Sequence, residues 1–162
     1  MSKCPTVVME GSLAEAANVM SGTLHGTDCN FAGVSIDTRT LDPSELFFAL
    51  QGPNYDGSTF VSSAAKKRAA AAVLPATTDV HLPHITVDDT RLALGRLAFA
   101  WRKRMPAKII GITGSNGKTT LKQMVANCLS LSGETLATHG NFNNDIGLPL
   151  MLLRLSQEHC YA

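Results

Sequence analysis

Three features are scarce in this sequence: closely spaced cysteines, long apolar runs and net charge. The four cysteines, Cys4, Cys29, Cys128 and Cys160, include no C-x-x-C pair, so neither a disulfide scaffold nor a zinc site of the usual spacing is predicted. No apolar stretch approaches the ~18 residues of a membrane-spanning helix, and no apolar segment of signal-peptide length follows the N-terminus. We therefore expect reduced thiols, no membrane insertion and a cytoplasmic location.

The charge of the chain is nearly balanced. Lysine and arginine number 14, and aspartate and glutamate 13, which leaves a formal net charge of +1. This balance gives no general attraction for nucleic acid, and we expect none as a partner. The length of 162 residues and the 44% hydrophobic content suffice for one medium or two small packed domains. We expect the protein to be a monomer.

Hydrophobic periodicity and turn residues predict an α/β fold in the N-terminal half. The predicted strands are Gly33–Asp37, Leu46–Leu50, Ala71–Leu74 and His84–Val87. The predicted helices are Ser12–Met20, Phe60–Arg68 and Thr90–Arg104. Ser12 is the expected N-cap of the first helix, because Glu15 follows three residues later in a capping-box pattern.

The C-terminal half alternates strands and helices. Its predicted elements are the strand Ile109–Thr113, the loop Gly114–Gly117, the helix Lys118–Ser132, the strand Thr135–Thr138 and the helix Ile146–Leu155. This order predicts a parallel sheet with right-handed crossovers. We place a domain boundary between residues 84 and 85. Residues 1–84 are then a small α/β domain, and residues 85–162 are the incomplete start of a mononucleotide-binding domain.

The segment Gly114–Thr120, which reads G-S-N-G-K-T-T, has the composition of a phosphate-binding loop. Its glycines permit unusual backbone angles, so that successive N–H groups can converge on phosphate oxygens at the start of a helix. Lys118 supplies a cation for the phosphates, and Thr119 supplies a hydroxyl for Mg²⁺. Ile112 stands where the common pattern has its first glycine, so the loop is a variant. The alternative is a glycine-rich turn with a solvated lysine.

This loop and the apolar strand before it resemble the ATP site of the Mur ligases and of their relative folylpolyglutamate synthase. Two further segments are similar to Mur ligases: residues 35–60, which resemble the domain that holds the UDP-sugar end of the substrate, and the asparagine-rich turn at residues 140–150. Together the three segments extend the resemblance over roughly residues 12–160. The chain is identified by this resemblance as a member of the Mur ligase family.

The resemblance implies two sets of site residues. The implied substrate-binding residues, for the UDP end, are Ser35, Asp37, Thr38, Arg39, Gly52, Asp56 and Gly57. The implied nucleotide-binding residues are Gly114, Ser115, Asn116, Gly117, Lys118, Thr119, Thr120, Asn141, Asn143 and Asn144, with Lys118 as the catalytic residue and Thr119 as a metal ligand. From the residues alone, an Asp–Arg pair that stabilises a turn and an asparagine that caps a helix remain open alternatives.

The resemblance also implies an activity: ATP- and Mg²⁺-dependent ligation through an acyl phosphate. The implied substrates are UDP-N-acetylmuramoyl-tripeptide and D-alanyl-D-alanine, used in making peptidoglycan precursors. The family's later acidic strand and third domain are not found in these 162 residues, so we expect a fragment that is inactive alone. Alternatives are a sister ligase that adds another amino acid, folylpolyglutamate synthase, or a non-catalytic nucleotide-binding module.

Overall fold

A computed structural model describes residues 9–52, 55–75, 80–138 and 144–162. The strands among these residues are β1 Glu10–Ser12, β2 Thr23–His25, β3 Asn30–Ala32, β4 Val34–Ser35, β5 Leu46–Phe48, β6 Gln51–Gly52, β7 Tyr55–Asp56, β8 Ala71–Pro75 and β9 His84–Val87. The α-helices are α1 Leu13–Met20, α2 Val61–Lys66, α3 Thr90–Arg104, α4 Lys118–Ser130 and α5 Gly147–Leu152, and a 3-10 helix covers Gly57–Phe60. None of these helices combines the length and apolar character needed to cross a bilayer.

The main sheet has five strands in the order β2-β9-β8-β5-β4. β4, β5, β8 and β9 run parallel, and β2 pairs antiparallel with β9 at the edge. The central strands are buried on both faces, which is why they read as continuous apolar runs. This arrangement confirms the α/β fold class.

Helices cover both faces of this sheet. On one face, α1, α3 and α5 pack against alternate strand residues such as Phe48, Val73 and Ile85. On the other face, α2 packs against the residues between them, including Phe47 and Leu74. The period of two in the strands therefore divides the core into two layers.

The predicted N-terminal elements agree with the structure except at their ends. The bounds of β9 and α3 are those predicted, and Ser12 caps α1 by accepting a hydrogen bond from the Glu15 N–H at 3.2 Å. The predicted strand Gly33–Asp37 is shorter, because the chain turns at Asp37, whose carbonyl accepts a hydrogen bond from the Thr40 N–H at 3.1 Å.

The predicted sheet of the C-terminal half is reduced to isolated parallel bridges. No strand forms over 109–113 or 135–138; instead, Lys108 and Thr135 each bridge to Tyr161. Tyr161 therefore lies between two chain segments, a position that the sequence did not suggest. The predicted helix Ile146–Leu155 is also shorter, as α5 ends at Leu152.

The elements around the predicted domain boundary belong to the N-terminal sheet. The boundary between residues 84 and 85 passes through β9, which pairs with β8 and β2. The next helix, α3, packs against α1. We propose a boundary after α3, near Met105, so that β9 and α3 stay with the N-terminal sheet, on which α5 from the C-terminal half also packs.

Candidate functional site

The phosphate loop has the backbone geometry that its glycines allow. Gly114 has a φ of +147° and Gly117 a φ of +75°, a left-handed conformation that L side chains rarely adopt. Gly117 is also the N-cap of α4, whose first residue is Lys118. The two glycines therefore turn the chain directly into the positive end of a 13-residue helix.

Within the described ranges, the backbone N–H groups of this loop have no hydrogen-bond acceptor. In the described part of the chain, none of the backbone N–H groups of residues 115–120 donates a hydrogen bond, and the first donor in this stretch is Leu121, which bonds to the Gly117 carbonyl at 2.9 Å. The loop residues are exposed. A run of free N–H groups at a helix N-terminus is the arrangement that binds phosphate oxygens.

The Lys118 side chain curls over the loop. Its ammonium group donates to the carbonyl oxygen of Gly114 and to that of Ser115, the latter at 3.3 Å. The cation therefore lies beside the free N–H groups and is not directed into bulk water. Thr119 and Thr120 follow in the first turn of α4 and are exposed. Residues 114–120 thus form one surface with donors, a cation and hydroxyl groups.

Only part of the asparagine-rich turn can be described. Asn141 and Asn143 lie outside the described residues, and their assignment to nucleotide stays a prediction. The Asn144 side-chain oxygen accepts a hydrogen bond from the Gly147 N–H at 2.7 Å, which caps the start of α5. The helix-capping role left open by the sequence is therefore present, and a contact of Asn144 with nucleotide remains untested.

A cleft of about 730 Å³ lies at the carboxyl ends of β4 and β5. It is lined by Ile36, Asp37, Thr38, Arg39, Leu50, Gln51, Gly52, Phe60, Arg91 and Ile146. The ends of parallel strands are the usual binding edge of an open α/β sheet. The structure thus brings four of the residues assigned to substrate, Asp37, Thr38, Arg39 and Gly52, to one cavity.

Asp37 and Arg39 form a forked ion pair on the wall of this cleft. The Asp37 carboxylate accepts hydrogen bonds from Arg39 Nη2 at 2.6 Å and from Nε at 3.0 Å. These bonds hold the pKa of the Asp37 carboxyl below its ordinary value. The Lys67 ammonium donates to the Arg39 carbonyl oxygen at 2.9 Å. The turn is therefore locally ordered, and it presents a guanidinium at the cleft.

The other three residues assigned to substrate lie behind or beside the cleft. The Ser35 hydroxyl donates to the Asp37 carbonyl oxygen at 3.2 Å and so braces that turn. Asp56 accepts from the Ser58 N–H at 2.9 Å, a hydrogen bond that lowers the pKa of Asp56. Gly57 is packed against the backbone of residues 49–50, where an added Cβ would lie 2.7 Å from main-chain atoms. These contacts give each residue a structural role, and their substrate contacts stay predictions.

Family comparisons match both halves of the chain. Residues 30–102 match the family described as "Mur ligase family, catalytic domain". Residues 112–162 match the "Mur ligase middle domain". The chain belongs to the Mur ligase family. Mur ligases are ATP-dependent enzymes that form amide bonds, which agrees with a phosphate loop at the start of the middle domain.

One curated relative within this Mur ligase family is the UDP-N-acetylmuramoyl-tripeptide–D-alanyl-D-alanine ligase of Escherichia coli strain K12. It is 44% identical over 151 residues, which cover 93% of this chain and 33% of that protein. The chain thus spans about a third of the length of the curated relatives it matches.

Solved Mur ligase structures share the fold. A crystal structure of MurF from Acinetobacter baumannii matches with a TM-score of 0.89 and 33% identity, over 96% of this chain and 35% of that one. A MurF from Thermotoga maritima, solved in complex with ADP, matches with a TM-score of 0.72 and 27% identity, over 79% of this chain and 30% of that one.

Six residues of the cleft were not assigned as site residues from the sequence: Ile36, Leu50, Gln51, Phe60, Arg91 and Ile146. Five of them have ordinary roles within or beside strands and helices. Arg91 carries a detectable signal, because it stands in the first turn of α3, where a positive charge opposes the helix dipole. A cation in that position indicates a role other than helix stability.

Proposed function

We propose that this chain supplies the UDP-substrate cleft and the ATP phosphate loop of a UDP-N-acetylmuramoyl-tripeptide–D-alanyl-D-alanine ligase. The observation that carries the proposal is the 44% identity to the E. coli ligase of that name over 93% of this chain. The cleft at the strand ends and the loop with free N–H groups support it, because a ligase of this kind needs both sites. On this proposal, the protein is a monomer in the cytoplasm.

The phosphate loop has the donors that a triphosphate requires. The N–H groups of residues 115–120 are available to phosphate oxygens, and the Lys118 ammonium needs only to leave two carbonyl oxygens to reach them. The Thr119 hydroxyl is the oxygen of this loop that would serve as a ligand to Mg²⁺. ATP supplies the phosphoryl group that activates the substrate carboxylate. The chain's own task is to offset charge and to hold the phosphates in line.

The cleft supplies the contacts for the UDP end of the second substrate. The Asp37–Arg39 pair presents an oriented guanidinium, which suits a diphosphate. Thr38 and Gly52 line the same cavity and leave polar backbone and hydroxyl groups for the nucleoside. D-alanyl-D-alanine, the incoming amine, is a proposed substrate of the whole ligase.

The first experiment measures binding to this chain by calorimetry, with Mg-ATP and with UDP as separate ligands. Lys118→Ala removes a charged donor, which is worth ~1.5–3 kcal/mol, so Mg-ATP affinity should fall at least 10-fold while UDP affinity is unchanged. Lys66→Ala, at the exposed end of α2, is the matched control and should change neither affinity. Equal loss of both ligands in Lys118→Ala would show that the lysine is structural.

The second experiment tests ligation in a chimera in which this chain replaces the matching third of the E. coli relative. The chimera should join D-alanyl-D-alanine to UDP-N-acetylmuramoyl-tripeptide, and the chain alone should not. Lys118→Ala should slow the chimera on the order of a hundredfold, the usual cost of losing one charge-stabilising contact. Ligation of a single amino acid in place of the dipeptide would favour a sister ligase.

A further inference from the structure

The Arg91 guanidinium joins the two halves of the chain. Its Nε donates to the Gln51 carbonyl oxygen at 3.0 Å, and Gln51 belongs to the strand β6. Its Nη1 donates to a carboxylate oxygen of Asp145 at 3.0 Å, and Asp145 precedes α5. One side chain therefore connects the floor of the substrate cleft with the segment that follows the asparagine-rich turn.

Arg91 also lines the cleft itself, together with Gln51 and Ile146. A guanidinium carries five N–H donors. Two of those on Arg91 are used, and its Nη2 donates to no acceptor in the ranges that the structure describes. The Nε and Nη2 groups of Arg39 already donate to the Asp37 carboxylate. Arg91 supplies a second cation, and its remaining donors are available to an anionic oxygen in the cavity.

The Asp145 end of this link is next to a residue assigned to nucleotide. Asn144 precedes it and caps α5 through the Gly147 N–H. Because Asn144 and Asp145 are adjacent in the chain, the contact that holds Asp145 also restricts the position of the Asn144 cap. The link therefore extends from the cleft to the start of α5.

The Arg91–Asp145 ion pair is too exposed to be mainly a stabilising contact. The side chains are 38% and 59% exposed, and ion pairs of this kind contribute little to folding. The Arg104–Glu15 pair, which joins the same helix to α1, has similar exposures of 45% and 48% but does not line the cleft. It is a suitable control, because it is an ion pair of similar exposure on the same helix and lies outside the cleft.

We propose that Arg91 is a positioning residue that couples occupation of the cleft by a nucleoside diphosphate group to nucleotide binding in the other half. This inference rests on the proposed function. A phosphate oxygen that binds the free donors of Arg91 holds its side chain in the rotamer that also binds Asp145. The entropy of ordering the Arg91 side chain is then lost once for both contacts. Because Asp145 adjoins Asn144, which is assigned to nucleotide, the two ligands bind with positive cooperativity.

The test measures the affinity of this chain for Mg-ADP with and without saturating UDP. In the wild-type chain, UDP should tighten Mg-ADP binding by about 5-fold, the low end of usual coupling between sites, and Mg-ADP should tighten UDP binding by the same factor. In Arg91→Gln the ratio should fall to about 1. Arg91→Lys should not restore it, because an ammonium lacks the fork that reaches both partners.

Asp145→Asn provides a second variant that leaves the cleft arginine in place, and it should also abolish the coupling. Arg104→Gln should leave the coupling at its wild-type value. Coupling retained in both Arg91→Gln and Asp145→Asn, or lost equally in Arg104→Gln, would overturn the inference. Wild-type binding of both ligands without coupling would overturn it as well. Failure of the wild-type chain to bind either ligand would instead overturn the proposed function, and this inference with it.

Discussion

Asp37 accepts hydrogen bonds from both the side chain and the backbone of Arg39. Arg39 Nη2 donates to the Asp37 carboxylate at 2.6 Å, and the Arg39 backbone N–H donates to the same carboxylate at 2.9 Å. A residue two positions away thus fixes the orientation of a cation on the cleft wall. The ion pair itself is local to the sequence D-T-R, and Lys67, 28 residues further along the chain, adds a hydrogen bond to the Arg39 carbonyl oxygen.

This pair predicts a specific dependence of stability on pH. Because the Arg39 hydrogen bonds lower the pKa of Asp37, the unfolded state binds a proton more readily than the folded state does. The stabilisation is present above the ordinary aspartate pKa of about 3.9 and is lost as the pH falls through the lowered value. Asp37→Asn should therefore lower the melting temperature at neutral pH, and its difference from wild type should shrink towards pH ~3.

The measurement is a series of thermal melts from neutral to acidic pH. Asp88→Asn is the control, since Asp88 is exposed and makes no hydrogen bond in the described part of the chain. A difference between Asp37→Asn and wild type that stays constant with pH would contradict the prediction. The effect will be small, because Arg39 is 77% exposed and solvent screens the pair.

The glycines of the phosphate loop allow a test of backbone conformation without a steric clash. A Cβ added to Gly117 would meet no atom within 4 Å, but its φ of +75° is strained for an L residue by ~1–2 kcal/mol. Gly117→Ala should therefore weaken Mg-ATP binding by about 10-fold. Gly111→Ala also meets no atom within 4 Å and is not at positive φ, so its affinity should equal that of wild type. Equal affinities in the two variants would mean that the loop relaxes without cost.

Alanine substitutions at Gly57 and Gly95 distinguish the cost of steric overlap from the gain in helix propensity. A Cβ on Gly57 would lie 2.7 Å from backbone atoms of Ala49 and Leu50, which cannot yield as a flexible side chain does. Gly57→Ala should cost ~1–3 kcal/mol and should also weaken UDP binding, because the displaced segment leads into the cleft. Gly95, inside α3, has open space around it, so Gly95→Ala should stabilise the protein by ~0.5–1 kcal/mol. Urea titrations measure both, and a destabilised Gly95→Ala would contradict this account.

The sequence predicts an element well where local pattern and burial agree. The strand β9 and the helix α3 have the predicted bounds, because alternation or i, i+3, i+7 spacing coincides with residues such as Ile85 and Leu94 that are fully buried. The apolar run Ile109–Thr113 has the same local signal and yet forms no strand. The Ile110 N–H donates to the Ala162 carbonyl oxygen at 2.8 Å, but Ile109 and Ile110 are 42% and 40% exposed, so this run lacks the burial on both faces that a central parallel strand has.

The sequence pointed to parts of the candidate site in two different ways. The chemistry expected of Gly114–Thr120 follows from the residues of a short motif, whereas the Asp37–Arg39 turn was assigned to substrate through the family resemblance. Arg91 enters the cleft because α3 begins opposite the end of β6, a juxtaposition set by sheet order and helix packing. A single sequence contains no signal for such a contact apart from a charge that does not suit its helix position.

The last prediction concerns how the two halves unfold, and Trp101 reports on it. Trp101 is the single tryptophan of the chain, and its indole N–H donates to the Leu155 carbonyl oxygen at 2.9 Å, across the contact between α3 and the segment after α5. The helix α4, by contrast, has no buried residue among its 13. A helix of that length gains little stability from tertiary packing when none of its side chains is fully buried, and it is then marginal in water. We expect α4 to lose its structure before the environment of Trp101 changes.

Urea titrations followed by far-UV circular dichroism and by tryptophan fluorescence should therefore not coincide. The dichroism should decrease at lower urea, with an early phase that belongs to α4. Ala126→Gly in α4 should shift only this early phase, whereas Ala98→Gly, at a buried position of α3, should shift the fluorescence transition, each by ~1 kcal/mol or more. Superimposable curves in wild type and in both variants would mean that α4 unfolds with the core as one cooperative unit.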